Sequence, residues 1–459
     1  MQHQFTKKAD QGPEVASAKE INHHGEAHPH EHHNENERLL VFSDGIIAFA
    51  LTIIVVFIKV EGGKPAEELP RILQNLLPDL GFYFLSFLAI SVYWKEHHRI
   101  FSYIKRSNTP LVLWNLLFLA LIVLVPVVNH LFLLTFNVED AQILGDLLIA
   151  AAGVLFAVGL SLLCLWWYAC RHPHLFEEDL SSRLKTYNTL RLLTLPLTLI
   201  VFIIALVLAS FLDNMLLLLV PILFYVVWLI CRRLYRRRIS TLSAEQTVER
   251  VIVFTDAVIG IAITLALAQV ELPTIGSHPS SERVLEVFSV AAGHIGTFLY
   301  GFVVLGTYWL IHYVMFRYVK RYNAWLIFFN FAFLLCCILL YIPISVFSFY
   351  LRDGLASQVY YSSQVVTLLM LCLIWFSAAR KKSLLNPDAD ERTVRNLTFI
   401  LTSCLLVTCA LALLSYFKFV PISYHVLAYG ALMLVFSIIS RVRHGFKHRE
   451  TGLAIQSKA

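Results

Sequence analysis

Charge is scarce in this sequence. Asp, Glu, Lys and Arg make up 15% of its 459 residues, against about a quarter in an ordinary soluble domain. Glycine (19) and proline (15) are also few, which excludes a collagen and a low-complexity disordered chain. The eight cysteines all fall in or at the ends of apolar stretches, and none is spaced with histidine as in a metal site. A disulfide scaffold and a zinc module are therefore excluded, and the cysteines read as small apolar residues. HExxH and GxSxG are absent, and no apolar stretch carries paired acids at its middle. Nothing is left from which to build an intramembrane enzyme, so the chain is read as a non-enzyme with no cofactor and no metal site.

What is present is apolar surface. Hydrophobic residues make up 58% of the chain, and the mean hydropathy is +0.68. Aqueous cores cannot hold so many apolar side chains, and the natural solvent is a bilayer. A membrane span needs about 20 largely apolar residues. Twelve stretches qualify: roughly 42–60, 80–96, 111–134, 143–168, 189–211, 214–231, 251–271, 289–311, 325–349, 360–379, 397–416 and 422–440. The charge that exists is placed asymmetrically. With the N-terminus in the cytoplasm, the outward loops hold only Lys59, Lys64, Arg71, Arg283, Arg352 and Lys418, and every other Lys and Arg lies inside. The positive-inside rule thus predicts twelve spans with both termini cytoplasmic. The basic loops read as topology anchors near anionic lipid, and no nucleic-acid partner is expected. Residues 1–40 are polar, so no cleavable signal peptide is expected. Residues 1–37 are read as a disordered, His-rich cytoplasmic tail and 446–459 as a second tail.

The chain repeats itself. Residues 37–52 read ERLLVFSDGIIAFALT and residues 249–264 read ERVIVFTDAVIGIAIT, identical at eight of sixteen positions. Trp94 and His97 form a WxxH pair that recurs as Trp309 and His312, and Asn115 and Asn330 each follow 21 residues after their tryptophan. Pro126 and Pro343 come next in the third span of each copy. The expected domains are a six-helix repeat at 38–236, a cytoplasmic linker at 237–249 and a second six-helix repeat at 250–445. Six is even, so the repeats are parallel.

Each repeat opens on a polar motif, Arg38, Phe42, Ser43 and Asp44 in the first and Arg250, Phe254, Thr255 and Asp256 in the second. An acid at the edge of a span is costly unless paired or wet. The expected partners are the arginine six residues earlier and the repeated Trp, His and Asn. Three readings of this motif stay open: helix capping and packing, contact with permeating ions, and gating or proton sensing through His97, His98 or His312. Beyond the acid, Phe49, Thr52, Ile53 and Val56 share one helical face, and Ile261, Thr264, Leu265 and Ala268 match them position for position.

The pattern RxxxFSDGxxAxAxT, followed by WxxHHxxF and an Asn in the third span, resembles the transmembrane protein 175 family of endolysosomal and bacterial potassium channels. The resemblance covers about 200 residues in each half, nearly the whole chain. It implies an all-α membrane protein of twelve transmembrane helices, assembling as a homodimer that imitates a tetramer around one pore. It also implies that the first helix of each repeat lines that pore. The constriction then falls on Phe49, Ile53, Val56, Ile261, Leu265 and Ala268, and a hydroxyl layer on Thr52 and Thr264. The polar support falls on Arg38, Ser43, Asp44, Trp94, His97 and Asn115, and on Arg250, Thr255, Asp256, Trp309, His312 and Asn330. The sequence departs from the family at Phe49, which replaces an aliphatic residue; its ring could narrow the path or offer a π-face to a cation. No TVGYG-type segment is present, so selection by a carbonyl cage is excluded. The expectation is a passive cation channel for potassium, with protons as a second ion, working by apolar constriction in a bilayer. A secondary transporter is the alternative. The bacterial plasma membrane is the expected location, with the endolysosomal membrane as the alternative.

Overall fold

The computed structural model of the chain describes residues 29–60, 62, 64–135, 141–177, 180–212, 219–237, 248–267, 280–351 and 353–417. These residues are helical, with no strand among them beyond two isolated bridges. The first half contains α1 (Pro29–Thr52), α2 (Leu69–Asn75), α3 (Leu77–Phe101), α4 (Thr109–Thr135), α5 (Ala141–Arg171), α6 (Ser182–Leu192), α7 (Thr194–Leu212) and α8 (Val220–Arg237). The second contains α9 (Glu249–Leu267), α10 (Ser281–Phe316), α11 (Ala324–Leu339), α12 (Tyr341–Phe349), α13 (Gly354–Ala379) and α14 (Glu391–Tyr416). Among the described residues ten helical stretches are long and apolar enough to cross a membrane, and Val220–Ile230 is a shorter apolar helix. The expected span at 422–440, the linker core 238–247 and the C-terminal tail lie outside the described residues. The first helix starts at Pro29, upstream of the boundary expected at residue 38. Proline is at home in a first helical turn, and the residues after it are adequate helix formers.

Breaks in the helices follow from local chemistry. α2 and α3 part at Leu76, just before Pro78, and α11 and α12 part at Leu340, just before Pro343, because a proline ring clashes with the preceding turn. The stretch of α10 that corresponds to α2 has no such proline, so its 36 residues run unbroken. Thr52 closes α1, and Ile53–Phe57 continues as a tighter 3₁₀ turn. A run of β-branched residues crowds the α-helix there, and the Thr52 hydroxyl turns back onto the carbonyls of Ala48 and Phe49 at 3.0 Å each. In a 3₁₀ turn residues three apart eclipse, which stacks Ile53 and Val56.

The two halves share contacts as well as motifs. Tyr93 donates to the Leu155 carbonyl (2.6 Å) and Tyr308 to that of Gln364 (3.3 Å). Trp166 donates to Thr189 (3.1 Å) and Trp375 to Thr398 (2.9 Å). The backbone amide of Lys105 reaches the Leu175 carbonyl as that of Lys320 reaches Leu384. The halves also meet. α1 packs along α9 more extensively than along any other helix. At the other end of the molecule, Leu69 and Ile72 of α2 join Val346, Tyr350 and Ala356 in a small separate core.

One buried element distinguishes the halves. Glu96 of α3 accepts three hydrogen bonds from Arg191 of α6, at 2.6–2.9 Å. The matching positions in the second half are Ile311 and Ile400, both packed in the main core. A buried ion pair holds only while both partners stay, and an apolar pair of like volume replaces it without loss. Arg191→Leu should therefore destabilise the detergent-solubilised chain by about 3–5 kcal/mol, whereas Glu96→Ile with Arg191→Ile should restore its melting temperature. A double variant no more stable than the single one would refute this.

Candidate functional site

Asp44 lies in the apolar helical stretch Asn36–Phe57 and is 2% exposed. A carboxylate in that setting needs its lone pairs filled. The Trp94 indole of α3 donates to its Oδ1 at 2.9 Å. Arg250, the first arginine of α9, takes both oxygens at 2.9 Å each, through Nε to Oδ2 and Nη2 to Oδ1. This fork is the strong, planar form of a charge-assisted bond.

The partner is not the one expected. Arg38 is exposed on α1. Six residues turn a helix by about 600°, so Arg38 and Asp44 lie about a third of a turn apart around the axis and cannot meet. The arginine that Asp44 binds comes from the other repeat, a pairing the sequence could not assign because both copies carry the same motif.

The network continues inward. Arg250 Nη2 also lies 3.0 Å from His97 Nδ1. Guanidinium can only donate, so Nδ1 accepts and the imidazole carries its proton on Nε2. That N–H faces Asn115 Oδ1 at 2.8 Å, Asn115 donates to Ser43 Oγ at 2.8 Å, and Ser43 donates to the Leu39 carbonyl at 2.7 Å. All these side chains except Arg250 are buried below a tenth exposure, and Arg250 itself shows 14%. Phe254 stacks on Trp94 at 4.3 Å, and Phe331 meets Trp94 edge-on at 5.3 Å. Both phenylalanines belong to the second repeat, so the junction is polar at its centre and aromatic at its margin.

Beside it His98 Nε2 meets the Tyr322 hydroxyl at 2.6 Å, again across the repeats. Tyr322 lies in the loop between α10 and α11, and burial pushes its phenol up, so the hydroxyl keeps its proton. Neither Tyr322 nor the Glu96–Arg191 pair was singled out from sequence. The second left little signal, since Glu96 lies within the polar run Lys95–Arg99 and Arg191 near the start of its apolar stretch.

The second repeat builds the same network but leaves it open. Trp309 donates to Asp256 at 2.8 Å, His312 Nε2 faces Asn330 Oδ1 at 3.0 Å, and Asn330 donates to Thr255 at 2.8 Å. No arginine reaches Asp256 among the described residues. Asp256 is half-buried, Trp309 is 36% exposed, and His312 Nδ1 is buried without a partner among the described residues.

The apolar stretch beyond the acid is placed unevenly. Phe49 is 41% exposed; Ile53, Val56, Ile261 and Leu265 are half-buried. Thr52 is fully buried, and its hydroxyl donates to its own helix. Thr264 is exposed and donates to the Ile261 carbonyl at 2.9 Å. Ala268 lies outside the described residues.

Comparison with known proteins follows the same residues. The profile of the family described as "Endosomal/lysosomal potassium channel TMEM175" matches residues 38–126 and 250–341. A protein of Streptomyces collinus named as a potassium channel is 31% identical over 149 residues, covering 32% of this chain and 71% of that protein. The chain belongs to the TMEM175 family. A second member, from Chamaesiphon minutus and also named as a potassium channel, is 31% identical over 147 residues, 32% of this chain and 71% of its own. The mouse protein named "Endosomal/lysosomal proton channel TMEM175" is 25% identical over 313 residues, 62% of this chain and 61% of its own. The two segments matched by the family profile each begin at the motif arginine and take in the Asp, Trp, His and Asn of the networks above. The chain is thus a multi-pass helical member of a cation-channel family.

Among the described residues Asn115 is what links Ser43 to His97. Asn115→Leu strands the buried His97 N–H and should cost about 1–3 kcal/mol of stability, and Asn330→Leu should cost a similar amount. Thermal unfolding followed by tryptophan fluorescence measures both. An unshifted Asn115→Leu transition would show that the chain of bonds is dispensable.

Proposed function

We propose that this chain is a passive cation channel, permeable to potassium and secondarily to protons, formed by two copies around one pore. The observation that carries the reading is the half-used junction between repeats. Inside one chain, Arg250, Phe254 and Phe331 of the second repeat close on Asp44, Trp94 and Phe87 of the first. The equivalent open faces are Arg38, Phe42 and Leu116 on the first repeat, and Asp256, Trp309 and Phe302 on the second. All are exposed apart from the half-buried Asp256, and the unpartnered His312 Nδ1 waits beside it. A two-fold dimer joins these faces reciprocally, as an isologous interface requires. Arg38 of each copy then reaches Asp256 of the other, and four like junctions close a ring.

In that ring α1 and α9 of each copy surround one axis. The constriction falls on Phe49, Ile53 and Val56 of α1 and on Ile261, Leu265 and Ala268 of α9. Thr52 and Thr264 stand beside it as the hydroxyl layer. With no carbonyl cage, passage is controlled by width and dewetting. Arg38, Ser43, Asp44, Trp94, His97 and Asn115, with Arg250, Thr255, Asp256, Trp309, His312 and Asn330, hold the pore helices at their cytoplasmic ends. The full arrangement is twelve spans in two parallel repeats, 38–236 and 250–445, joined at 237–249. Both termini are cytoplasmic, and the membrane is the bacterial plasma membrane, with the endolysosomal membrane as the rival assignment.

Reconstitution of the purified chain in liposomes tests permeation through reversal potentials under potassium, sodium and proton gradients. Uphill flux would replace the channel with a secondary transporter. Ile261→Asn should wet the constriction and raise leak, including that of sodium; unchanged flux and selectivity would remove Ile261 from the pathway. Arg38→Asp should shift the chain from dimer to monomer in light scattering, and Arg38→Asp with Asp256→Arg should bring the dimer back. An intact dimer in the single variant would sink the proposed junction.

A further inference from the structure

The repeats diverge at one more place, on the far side of the membrane from the acid–arginine junction. Between α3, α4 and α5 lies a cavity of about 170 Å³, lined by Leu85 and Ala89 of α3, Asn129 of α4, and Ala151 and Leu155 of α5. In the second repeat larger side chains stand at the corresponding positions, which the shared hydrogen bonds identify. Tyr93 binds the Leu155 carbonyl as Tyr308 binds that of Gln364, so Ala151 corresponds to Tyr360 and Leu85 to Tyr300. In the second repeat the Tyr360 ring is fully buried, stacks on Phe347 at 4.7 Å and hydrogen-bonds the Tyr300 hydroxyl. A side chain fills in one repeat the volume that two alanines and a leucine leave open in the other.

The opening carries a polar anomaly. Asn129 is 8% exposed, lines the cavity, and its Nδ2 has no hydrogen-bond partner among the described residues. Counted from Pro126 and Pro343, its counterpart is Val346, fully buried in apolar packing. An orphaned buried amide costs free energy that an acceptor would recover. Ser86 is the one other polar side chain in the lining, so a water there would have at most two side-chain partners, the low end of what a buried water makes. The cavity also has a side entrance. Leu85 on its rim is 61% exposed. Asn129 lies 14 residues beyond Asn115, which touches Ser43 in the polar network. That is about 21 Å along α4, which brings it close to the far boundary of a hydrocarbon core about 30 Å thick.

We propose that this crevice binds one phospholipid of the leaflet opposite the acid–arginine junction. An acyl chain lies between Leu85, Ala89 and Ala151, and its ester carbonyl accepts from Asn129 Nδ2. The first repeat thus uses a lipid where the second uses Tyr360.

Native mass spectrometry of the full chain released from nanodiscs tests this, with diacyl phosphatidylcholine and its dialkyl ether analogue as probes. The wild-type chain should retain one diacyl lipid per copy above the annular background, and should hold the ether analogue, which has no carbonyl, about fivefold more weakly, as the loss of one neutral hydrogen bond implies. Asn129→Leu should erase that preference. Ala151→Tyr, which copies the second repeat, should abolish retention while keeping the wild-type melting temperature. Equal retention of ester and ether lipids by the wild-type chain would overturn the proposal without recourse to any variant. So would full retention by a folded Ala151→Tyr chain, or displacement of the diacyl lipid by oleate at equal concentration.

Discussion

A carboxylate buried in a membrane helix must be neutralised by something, and here that something comes from elsewhere in the chain. Asp44 holds a bidentate arginine delivered by the second repeat, so the most costly group in the first repeat cannot be satisfied until the second is in place. Removing the arginine would leave a charge stranded in low dielectric, where unpaired ions are expensive. The register of α1 against α9, the stacking of Phe254 on Trp94 and the tautomer of His97 all follow from that bond. Two weakly polar bundles are thereby given one mutual orientation, which apolar packing in a bilayer alone specifies poorly.

The duplication made much of this legible in advance. Motifs shared by the two halves marked Asp, Trp, His and Asn as a set, and the structure brings each set together: Asp44 with Trp94, His97 with Asn115 and Ser43, and their counterparts in the second half. The same duplication hid the decisive partner. A motif present twice does not say whether its arginine serves its own acid or its twin's, and proximity in sequence pointed to the wrong one. Helical geometry alone could have rejected Arg38, since six residues do not return to the same face.

Other features were invisible because they depend on side-chain competition rather than on pattern. The full burial of Thr52 and the exposure of Thr264 follow from what packs over each helix, not from the shared sequence. The ion pair of Glu96 with Arg191 replaces what is Ile311 and Ile400 in the other copy. Either solution fills the site, so neither could be deduced from its counterpart. Divergence between the copies is therefore concentrated where two chemistries satisfy one geometry.

The hinge at Leu76 separates the halves in another respect. It lets α2 fold across and rest on Val346, Tyr350 and Ala356 of the other half, whereas the uninterrupted α10 has no joint with which to return the gesture. The molecule is near-symmetric at the end where Asp44 and Asp256 lie and lopsided at the other. Any assembly of this chain inherits that inequality, so a ligand touching α2 and the matching stretch of α10 would meet two different surfaces, one hinged and one straight.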